Sequence, residues 1–227
     1  MQFNIGGRSD HLKEVNVKRV KLLIGVLSCH KYAARRDACL ATWANVDARD
    51  DVDLVFILGD SRHPAPRREA HLLHCPCPDD RDSLSLKTRL FCQWAIENYE
   101  FDFLFKCDDD TYVHIDRLLQ CGTKGDYVGS PIPGRPHYVH PSGGAGYRLS
   151  RKAAQHVAVS SVPLVSYEDW LVWRILTNAG VQLQSDSRFV YNNDVRPTGE
   201  NDQITCHWCS PDVMLEIHCA LSRREAD

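Results

Sequence analysis

Three consecutive aspartates, Asp108, Asp109 and Asp110, are the residues of this chain best suited to chemistry. They follow the apolar run 101–105, which is short, rich in aromatic residues and free of glycine and proline, and therefore predicts a buried strand. Carboxylates at the end of a buried strand repel one another and lose hydration, so a bound cation would stabilise them. Hard divalent cations prefer such oxygen ligands. An acidic loop in solvent is the alternative, and the local sequence leaves both open.

The surrounding elements decide where these aspartates lie. Buried strands are predicted at 21–27, 53–58, 101–105 and 126–130, with a short strand at 71–75. Helices are predicted at 33–43, 84–98, 115–120, 151–159 and 168–179, with a last one from Pro211. Strands that alternate with helices predict an α/β fold with a central, largely parallel sheet flanked by helices. Ligands of such sheets bind beyond the carboxyl ends of the strands, so the aspartates are placed to hold a metal and a phosphorylated substrate.

Length and composition exclude several other classes of protein. The chain has 227 residues, of which 43% are hydrophobic and 25% charged, and this is ordinary for a globular protein with one sizeable core. A net charge of −3 offers no broad basic surface, so we expect no nucleic acid partner. We interpret 1–19 as a polar lead-in and 20–227 as one domain. The apolar run 20–27 is too short to cross a bilayer, so no transmembrane segment is expected in this chain.

The segment 206–209 contains two of the ten cysteines and His207, and it has three interpretations. Cys206 and Cys209 could form half of a structural zinc site, with Cys75 and Cys77 as the other half, although the spacing of the second pair is atypical. In a second hypothesis His207, which lies between the first pair, completes the carboxylate site. In a third it is an ordinary packed residue.

Two further segments have both a structural and a functional interpretation. The glycine-rich segment 143–146 could let a sugar or phosphate approach the backbone or could form a tight turn, and it lacks the spacing of a dinucleotide or P-loop motif. Ser166 and Asp169 have the spacing of a capping box, which favours a helix start. A carboxylate there could instead act as a general base towards an acceptor hydroxyl. Lys87 could neutralise a phosphate or only cover helix surface.

Six motifs in the same order resemble the galactosyltransferase/Fringe-type β-1,3-glycosyltransferases of GT-A fold. These motifs are Arg35-Arg36-x-Ala38 with Thr42-Trp43, Asp82-Ser83-Leu84-Ser85-Leu86-Lys87-Thr88, Phe103-x-x-Lys106-x-Asp108-Asp109-Asp110-Thr111-Tyr112-Val113, Gly143-Gly144-Ala145-Gly146-Tyr147-x-Leu149-Ser150, Glu168-Asp169 and Cys206-His207-Trp208. The resemblance covers about 20–211, most of the chain.

The resemblance implies a GT-A-type (Rossmann-like) mixed, mostly parallel sheet, a UDP-sugar donor, a divalent metal and inversion at the anomeric carbon. The metal would be Mn²⁺, or Mg²⁺, held by Asp110, Asp108 and His207, and Asp169 would be the catalytic base. Donor contacts are expected from Arg35, Asp60, Lys87, Asp108 and Asp109, and further substrate contacts from Gly143, Gly144, Glu168 and Trp170.

The motif set therefore predicts an inverting glycosyltransferase. It would move galactose or an N-acetylhexosamine from UDP to a hydroxyl of a glycan or glycoconjugate acceptor in β-1,3 linkage. Residues 20–113 would form the nucleotide-binding half and 114–227 the acceptor half. Two alternatives stay open, a metal-dependent phosphohydrolase and a catalytically inactive module that binds glycans or nucleotides. We expect a cytoplasmic protein if Met1 is the native start, and a Golgi-luminal catalytic domain if the chain is part of a longer protein.

Overall fold

The computed structural model describes residues 17–132 and 139–223. Its strands are β1 (Lys18–Leu27), β2 (Val52–Gly59), β3 (Arg67–Glu69), β4 (Leu72–Cys75), β5 (Tyr99–Asp108), β6 (Tyr112–Val113), β7 (Tyr127–Gly129), β8 (Tyr147–Ser150), β9 (Leu183–Ser185), β10 (Phe189–Val190) and β11 (Thr205–Cys206). Its α-helices are α1 (Ala33–Ala41), α2 (Leu84–Asn98), α3 (Ile115–Leu119), α4 (Arg151–Ala158), α5 (Glu168–Asn178) and α6 (Pro211–Ser222), and a 3₁₀ turn (His30–Tyr32) precedes α1.

A mixed sheet of eight strands forms the centre, in the order β3-β4-β2-β1-β5-β8-β7-β9. The strands β4, β2, β1 and β5 are mutually parallel, and β8 runs antiparallel between β5 and β7. Every residue of β2 is buried, as are the last six of β1, because both faces of the parallel part are covered. The predicted buried strands and the mixed, mostly parallel sheet are confirmed.

Helices cover both faces of this sheet and create two apolar layers. One layer packs α2, α4 and α5 against the sheet around Phe91, Trp94 and Leu176. The other packs α1 and α6 around Trp43, Phe105 and other large side chains. It also contains Phe189 and Cys206 of a small three-stranded sheet in the order β10-β11-β6. This second sheet brings residues after 200 beside the end of β5.

Several boundaries differ from the sequence-based predictions. The first strand begins at Lys18, two residues before the predicted domain start, and residues 1–16 of the predicted lead-in lie outside the described part. The segment 130–142, whose proline and glycine content predicts a surface loop, is described except for 133–138. The predicted start of α2 at Leu84 is confirmed. Asp82 and Ser83, whose residue types predict a side-chain cap for this helix, do not provide one, and the Asp80 carboxylate accepts a hydrogen bond from the Ser83 amide at 2.9 Å.

Within residues 17–132 and 139–223, no helix combines the length and the apolar character needed to cross a membrane.

Candidate active site

A cleft of about 480 Å³ opens beyond the carboxyl ends of β1 and β5. The two strands are parallel and in register to their last residues, so that Leu27 lies beside Asp108. The cleft is lined by polar and charged side chains that include Arg35, Lys87, Asp108, Asp109, Asp110 and His207. The aspartates thus lie at the carboxyl ends of parallel strands, the edge at which ligands of such sheets generally bind.

Asp108, Asp110 and His207 converge in this cleft. Each offers one ligand atom, and these three atoms all lie within 4.8 Å of one another, which is the arrangement that a single metal ion requires. Nε2 of His207 lies 3.2 Å from Oδ1 of Asp110. The other ring nitrogen, Nδ1, lies 3.0 Å from the Tyr191 carbonyl oxygen, a contact that directs Nε2 towards the carboxylates.

The small sheet brings His207 to the aspartates across almost a hundred residues of sequence. Cys206 of β11 pairs with Tyr112 of β6, and β6 begins two residues after Asp110. The Cys209 amide donates to the Asp110 carbonyl at 2.8 Å and closes the same junction. The position of His207 therefore follows from backbone pairing on both sides of it.

Gly144 is required for the ring of His207 to occupy this position. A Cβ atom on Gly144 would lie 2.0 Å from Cε1 of His207 and 2.2 Å from its Nε2, which no side chain tolerates. The Gly144 carbonyl also accepts hydrogen bonds from the Asp108 amide at 3.3 Å and from the Thr111 hydroxyl at 2.7 Å. The glycine-rich segment therefore packs directly against the candidate metal ligands.

The middle aspartate faces α1 and not the triad. Its carboxylate accepts hydrogen bonds from the Ser28 hydroxyl at 2.7 Å and from Arg35 at 3.1 Å, and Arg35 also donates to Asp110 at 3.1 Å. Burial raises the pKa of Asp109 to about 6, although Ser28 and Arg35 oppose the rise. Arg35 thus neutralises part of a carboxylate cluster while a third of its own side chain stays exposed to the cleft.

The charges of Asp110 and His207 depend on each other. Burial opposes ionisation of Asp110, but the hydrogen bond and the charge of His207, with Arg35, bring the pKa of Asp110 below its ordinary value. Burial also opposes protonation of His207, and the hydrogen bond to Asp110 and the two carboxylates outweigh it, so the pKa of His207 is raised. In the metal-free protein a proton on His207 therefore balances part of the charge that a metal ion would balance.

Two of the predicted donor contacts are already occupied by protein partners. Lys87 is 1% exposed at the wall of the cleft, and its Nζ donates to the Asp79 carboxylate at 2.5 Å and to the Ser28 carbonyl at 3.0 Å. Asp60 lies outside the cleft lining, and Arg62 donates to both of its carboxylate oxygens at 2.8 Å. The structure brings Lys87 to the candidate site and does not bring Asp60 there.

Asp169 lies on the other side of the glycine-rich segment. Its Oδ2 accepts a hydrogen bond from the Gly143 amide at 3.2 Å, its Oδ1 accepts one from the Trp170 amide at 2.8 Å, and 24% of its side chain is exposed. The capping-box interpretation is wrong, because no side chain caps α5 and the Ser166 hydroxyl donates to Asp82 instead. The carboxylate therefore keeps a partly exposed face.

Glu168 and Trp170 flank Asp169 but differ in their surroundings. Glu168 is buried, and Lys106 at 2.8 Å and the Tyr147 hydroxyl occupy its two carboxylate oxygens. The indole of Trp170 is half-buried, with the guanidinium of Arg174 5.0 Å from its ring centre. Neither residue lines the cleft that holds the aspartates.

The cysteine-based zinc site is wrong for the described part of the chain. Cys75 and Cys77 lie in the apolar layer with α2, whereas Cys206 and Cys209 lie in the layer on the opposite face of the sheet. Across the described ranges, Asp108, Asp110 and His207 form the one cluster of His, Cys, Asp and Glu that could hold a metal ion.

Sequence reasoning missed three residues of the site: Ser28, Lys106 and Tyr191. Ser28 bonds Asp109, Tyr191 orients His207, and Lys106 joins Asp108 to Glu168. For Lys106 a signal was present, since a lysine between two apolar residues of a buried strand needs a buried partner. The contacts of Ser28 and Tyr191 have no local sequence signal.

Comparison with known proteins finds similar sequences among galactosyltransferases. Residues 34–131 match the family model described as Galactosyltransferase. The chain is 29% identical over 133 residues to the hydroxyproline O-galactosyltransferase GALT6 of Arabidopsis thaliana, a match that covers 54% of this chain and 20% of that protein. It is 26% identical over 240 residues to the mouse (Mus musculus) beta-1,3-galactosyltransferase 6, covering 87% of this chain and 73% of that protein.

A solved structure of low sequence identity shares the fold. The glycosyltransferase involved in glycosylation of the major capsid of PBCV-1 superposes with a TM-score of 0.52 at 12% identity, covering 86% of this chain and 98% of that one. The chain thus spans about a fifth of the length of the GALT6 relative and nearly all of this solved structure. It has a GT-A-type fold, and its residues 34–131 are similar to the family model described as Galactosyltransferase.

Proposed function

We propose that this chain is a metal-dependent, inverting glycosyltransferase that moves galactose or an N-acetylhexosamine from a UDP-sugar to a glycan hydroxyl in β-1,3 linkage. One observation carries most of the weight: Asp108, Asp110 and His207 converge within 4.8 Å in a cleft at the carboxyl ends of parallel strands, in a chain whose residues 34–131 match the galactosyltransferase model. In this proposal 20–113 contribute the nucleotide-binding half and 114–227 the acceptor half.

The donor set fits a divalent cation. Two carboxylates and one imidazole suit Mn²⁺, and the oxygens alone would suit Mg²⁺. Asp108, Asp110 and His207 would hold the ion, and when bound it supplies positive charge next to the diphosphate of the donor and so favours its departure. His207 must lose its proton to become a ligand, and the Tyr191 carbonyl already directs the correct nitrogen inward.

The charged side chains around the triad suit a nucleoside diphosphate. Arg35 keeps a third of its surface towards the cleft and remains protonated at every relevant pH. Lys87, although paired with Asp79, places a second cation at the wall of the same cleft. The two cations and the metal ligands surround one space, as the binding of a diphosphate requires.

Asp169 is our candidate for the general base. The acceptor hydroxyl oxygen would form a bond to the anomeric carbon as the bond from that carbon to the UDP oxygen breaks. The hydroxyl proton would pass to Asp169, and UDP would leave with the bonding electrons. Gly143 bonds Asp169 while the adjacent Gly144 packs on His207, so the two groups flank one short backbone segment. A positioned base contributes roughly 10²–10⁴-fold to such a step.

A panel of UDP-sugars tests the reaction. We expect Mn²⁺-dependent release of UDP from UDP-galactose or a UDP-N-acetylhexosamine, and faster release with an acceptor glycan. Phosphate release from simple esters without UDP release would support the phosphohydrolase alternative. Binding without any turnover would support the inactive binding module.

Asp169→Asn tests the base. We expect it to retain Mn²⁺-dependent UDP binding and to lower kcat roughly 10²–10⁴-fold, since only proton removal is lost. Asp212→Asn is the matched control, because Asp212 is also an acidic residue in the first turn of a helix, α6, and it is exposed away from the cleft. Wild-type turnover by Asp169→Asn would remove Asp169 from the mechanism.

A further inference from the structure

Lys106 is a buried cation that the mechanism above does not use. It lies on β5 between Gly25 of β1 and Tyr147 of β8, in the middle of the sheet, and is 1% exposed. A lysine in this position loses its hydration, and it is tolerated only if its three donors find acceptors. The structure supplies acceptors from three different parts of the chain.

Each acceptor of Lys106 belongs to a different component of the candidate site. Its Nζ donates to Oδ1 of Asp108 at 3.1 Å, to the carbonyl of Gly143 at 3.1 Å and to Oε2 of Glu168 at 2.8 Å. Asp108 is a metal-ligand candidate, and Glu168 is the residue before Asp169. The Gly143 amide holds Asp169 itself at 3.2 Å. One ammonium group therefore contacts both a candidate metal ligand and the segments that hold the candidate base.

The surroundings fix the ammonium group in this position. The Tyr147 hydroxyl donates to the other oxygen of Glu168, so Glu168 is held at both oxygens. A Cβ atom on Gly143 would come within 2.9 Å of Oε2 of Glu168 and 3.3 Å of Nζ of Lys106, so the backbone packs closely on the ion pair. Burial lowers the pKa of Lys106, but the charges of Asp108 and Glu168 outweigh it and raise the pKa, which keeps the side chain protonated.

On the basis of the proposed function, we propose that Lys106 is a positioning residue. It fixes the carboxylate of Asp108 for metal binding and fixes the Gly143 segment and the start of α5 for Asp169. Partners that orient a metal ligand typically contribute about 10–100-fold to metal affinity or activity. Lys106 would therefore affect the metal site and the base together, whereas Glu168 would affect only the base.

Lys106→Met and Glu168→Gln test this difference. Metal affinity is measured by calorimetric titration of Mn²⁺, and kcat and KM are measured for release of UDP from UDP-galactose. We expect Lys106→Met to weaken Mn²⁺ binding about 10–100-fold and to lower kcat. Glu168→Gln should bind Mn²⁺ like wild type, because Lys106 still bonds Asp108, and should lower kcat without a matching change in the KM for UDP-galactose.

A control and a second variant separate positioning from folding. Arg148→Met removes another buried cation from the sheet, on β8 next to the residue that pairs with Lys106. Among the described residues Arg148 bonds the carbonyls of Cys121 and Thr123 and no carboxylate. It should lower the melting temperature and leave Mn²⁺ affinity unchanged. If Lys106→Met does not fold, the double variant Lys106→Met/Glu168→Gln removes the uncompensated buried charge, and we expect it to fold with the same loss of Mn²⁺ affinity.

The outcomes distinguish this inference from the proposed function. Wild-type Mn²⁺ affinity in folded Lys106→Met or in the double variant would overturn the role of Lys106 and leave the proposed function intact. Equal losses in Lys106→Met and Arg148→Met would also overturn it, because both would then reflect general damage to the sheet. Absence of Mn²⁺-dependent UDP binding in the wild type would overturn the proposed function itself.

Discussion

The number of cationic partners per carboxylate differs between the two ends of the same parallel strands. At the amino ends, Asp53 of β2 is bound by Lys18 at 2.7 Å, by Arg68 through two bonds at 2.8 and 2.9 Å, and by the Tyr99 hydroxyl at 2.9 Å. One carboxylate there has two cationic partners. These contacts join β1, β2, β3 and β5, so this end of the sheet is a structural junction.

At the carboxyl ends the balance is reversed. Four carboxylates, Asp108, Asp109, Asp110 and Glu168, share two permanently charged partners, Arg35 and Lys106. A proton on His207 supplies the remaining balance only in part. The difference shows that a buried acid is by itself no indication of function. The indication is a deficit of positive charge that the protein leaves for a ligand to supply.

The largest effect should come from Asp110→Asn. The change removes the charge of a proposed metal ligand while it preserves the shape of the side chain, so we expect Mn²⁺ affinity to fall more than about 100-fold by calorimetry. It removes the attraction of Asp110 to His207 and Arg35 together with its repulsion by the other carboxylates, so the free energy of unfolding of the metal-free protein should change by no more than about 1 kcal/mol. If Asp110→Asn instead lost much stability and kept its Mn²⁺ affinity, Asp110 would have the same structural role as Asp53, and the comparison would be contradicted.

Gly144→Ala should weaken metal binding without removing any ligand. Because a Cβ atom would overlap the His207 ring, the ring must move, and we expect Mn²⁺ affinity to fall about 10–100-fold. Gly122→Ala is the control, since a Cβ atom at Gly122 meets nothing within 4 Å. Unchanged affinity in Gly144→Ala would mean that His207 is not held by this contact.

Asp53→Asn should show the opposite pattern. We expect it to lower the free energy of unfolding by about 2 kcal/mol, a value reduced from that of a fully buried pair because Lys18 is half exposed. Mn²⁺ and UDP affinity should equal that of wild type. Denaturant unfolding of Asp53→Asn and Asp110→Asn measures the free energies of unfolding. A loss of Mn²⁺ affinity in folded Asp53→Asn would contradict the difference between the two ends of the sheet.

The smallest effect should be the pH dependence of the stability difference between wild type and Asp53→Asn. Burial acts against ionisation of Asp53, but Arg68, Lys18 and Tyr99 together hold its pKa well below the ordinary value. A group with a depressed folded-state pKa stabilises the fold above its unfolded pKa, about 4, and loses this contribution as the pH falls further. The stability difference between wild type and Asp53→Asn should therefore be constant near pH 7 and shrink below about pH 4. A difference that grows on acidification would contradict this assignment.

The sequence predicted the strands and helices that a local hydrophobic pattern determines. The strands that begin at Lys18, Val52 and Tyr99 are long apolar runs with both faces covered, and α2 follows helical spacing, so their existence and type were confirmed. Strands β6, β10 and β11 have two residues each and therefore no periodicity to detect. The antiparallel β8 follows directly after the glycine-rich segment, where a turn signal obscures it.

The residues of the candidate site also fall into those that the sequence could place and those that depend on long-range contacts. The aspartates could be placed because they end a predictable strand, and His207 was included because of a family motif. The spacing of Ser166 and Asp169 favoured a local capping box, but a long-range bond from Gly143 to Asp169 prevailed. Local sequence cannot reveal such a contact, because its partner lies 26 residues away.

Calorimetric titration of UDP into the wild-type protein, with and without Mn²⁺, tests the central claim most directly. The deficit of positive charge at the carboxyl ends of β1 and β5 predicts that UDP binds with Mn²⁺ present and binds weakly or not at all without it. The same dependence should be absent in Asp110→Asn and preserved in Asp53→Asn. Identical UDP binding with and without Mn²⁺, or none under either condition, would contradict the assignment of Asp108, Asp110 and His207 as a metal site for a nucleotide-sugar donor.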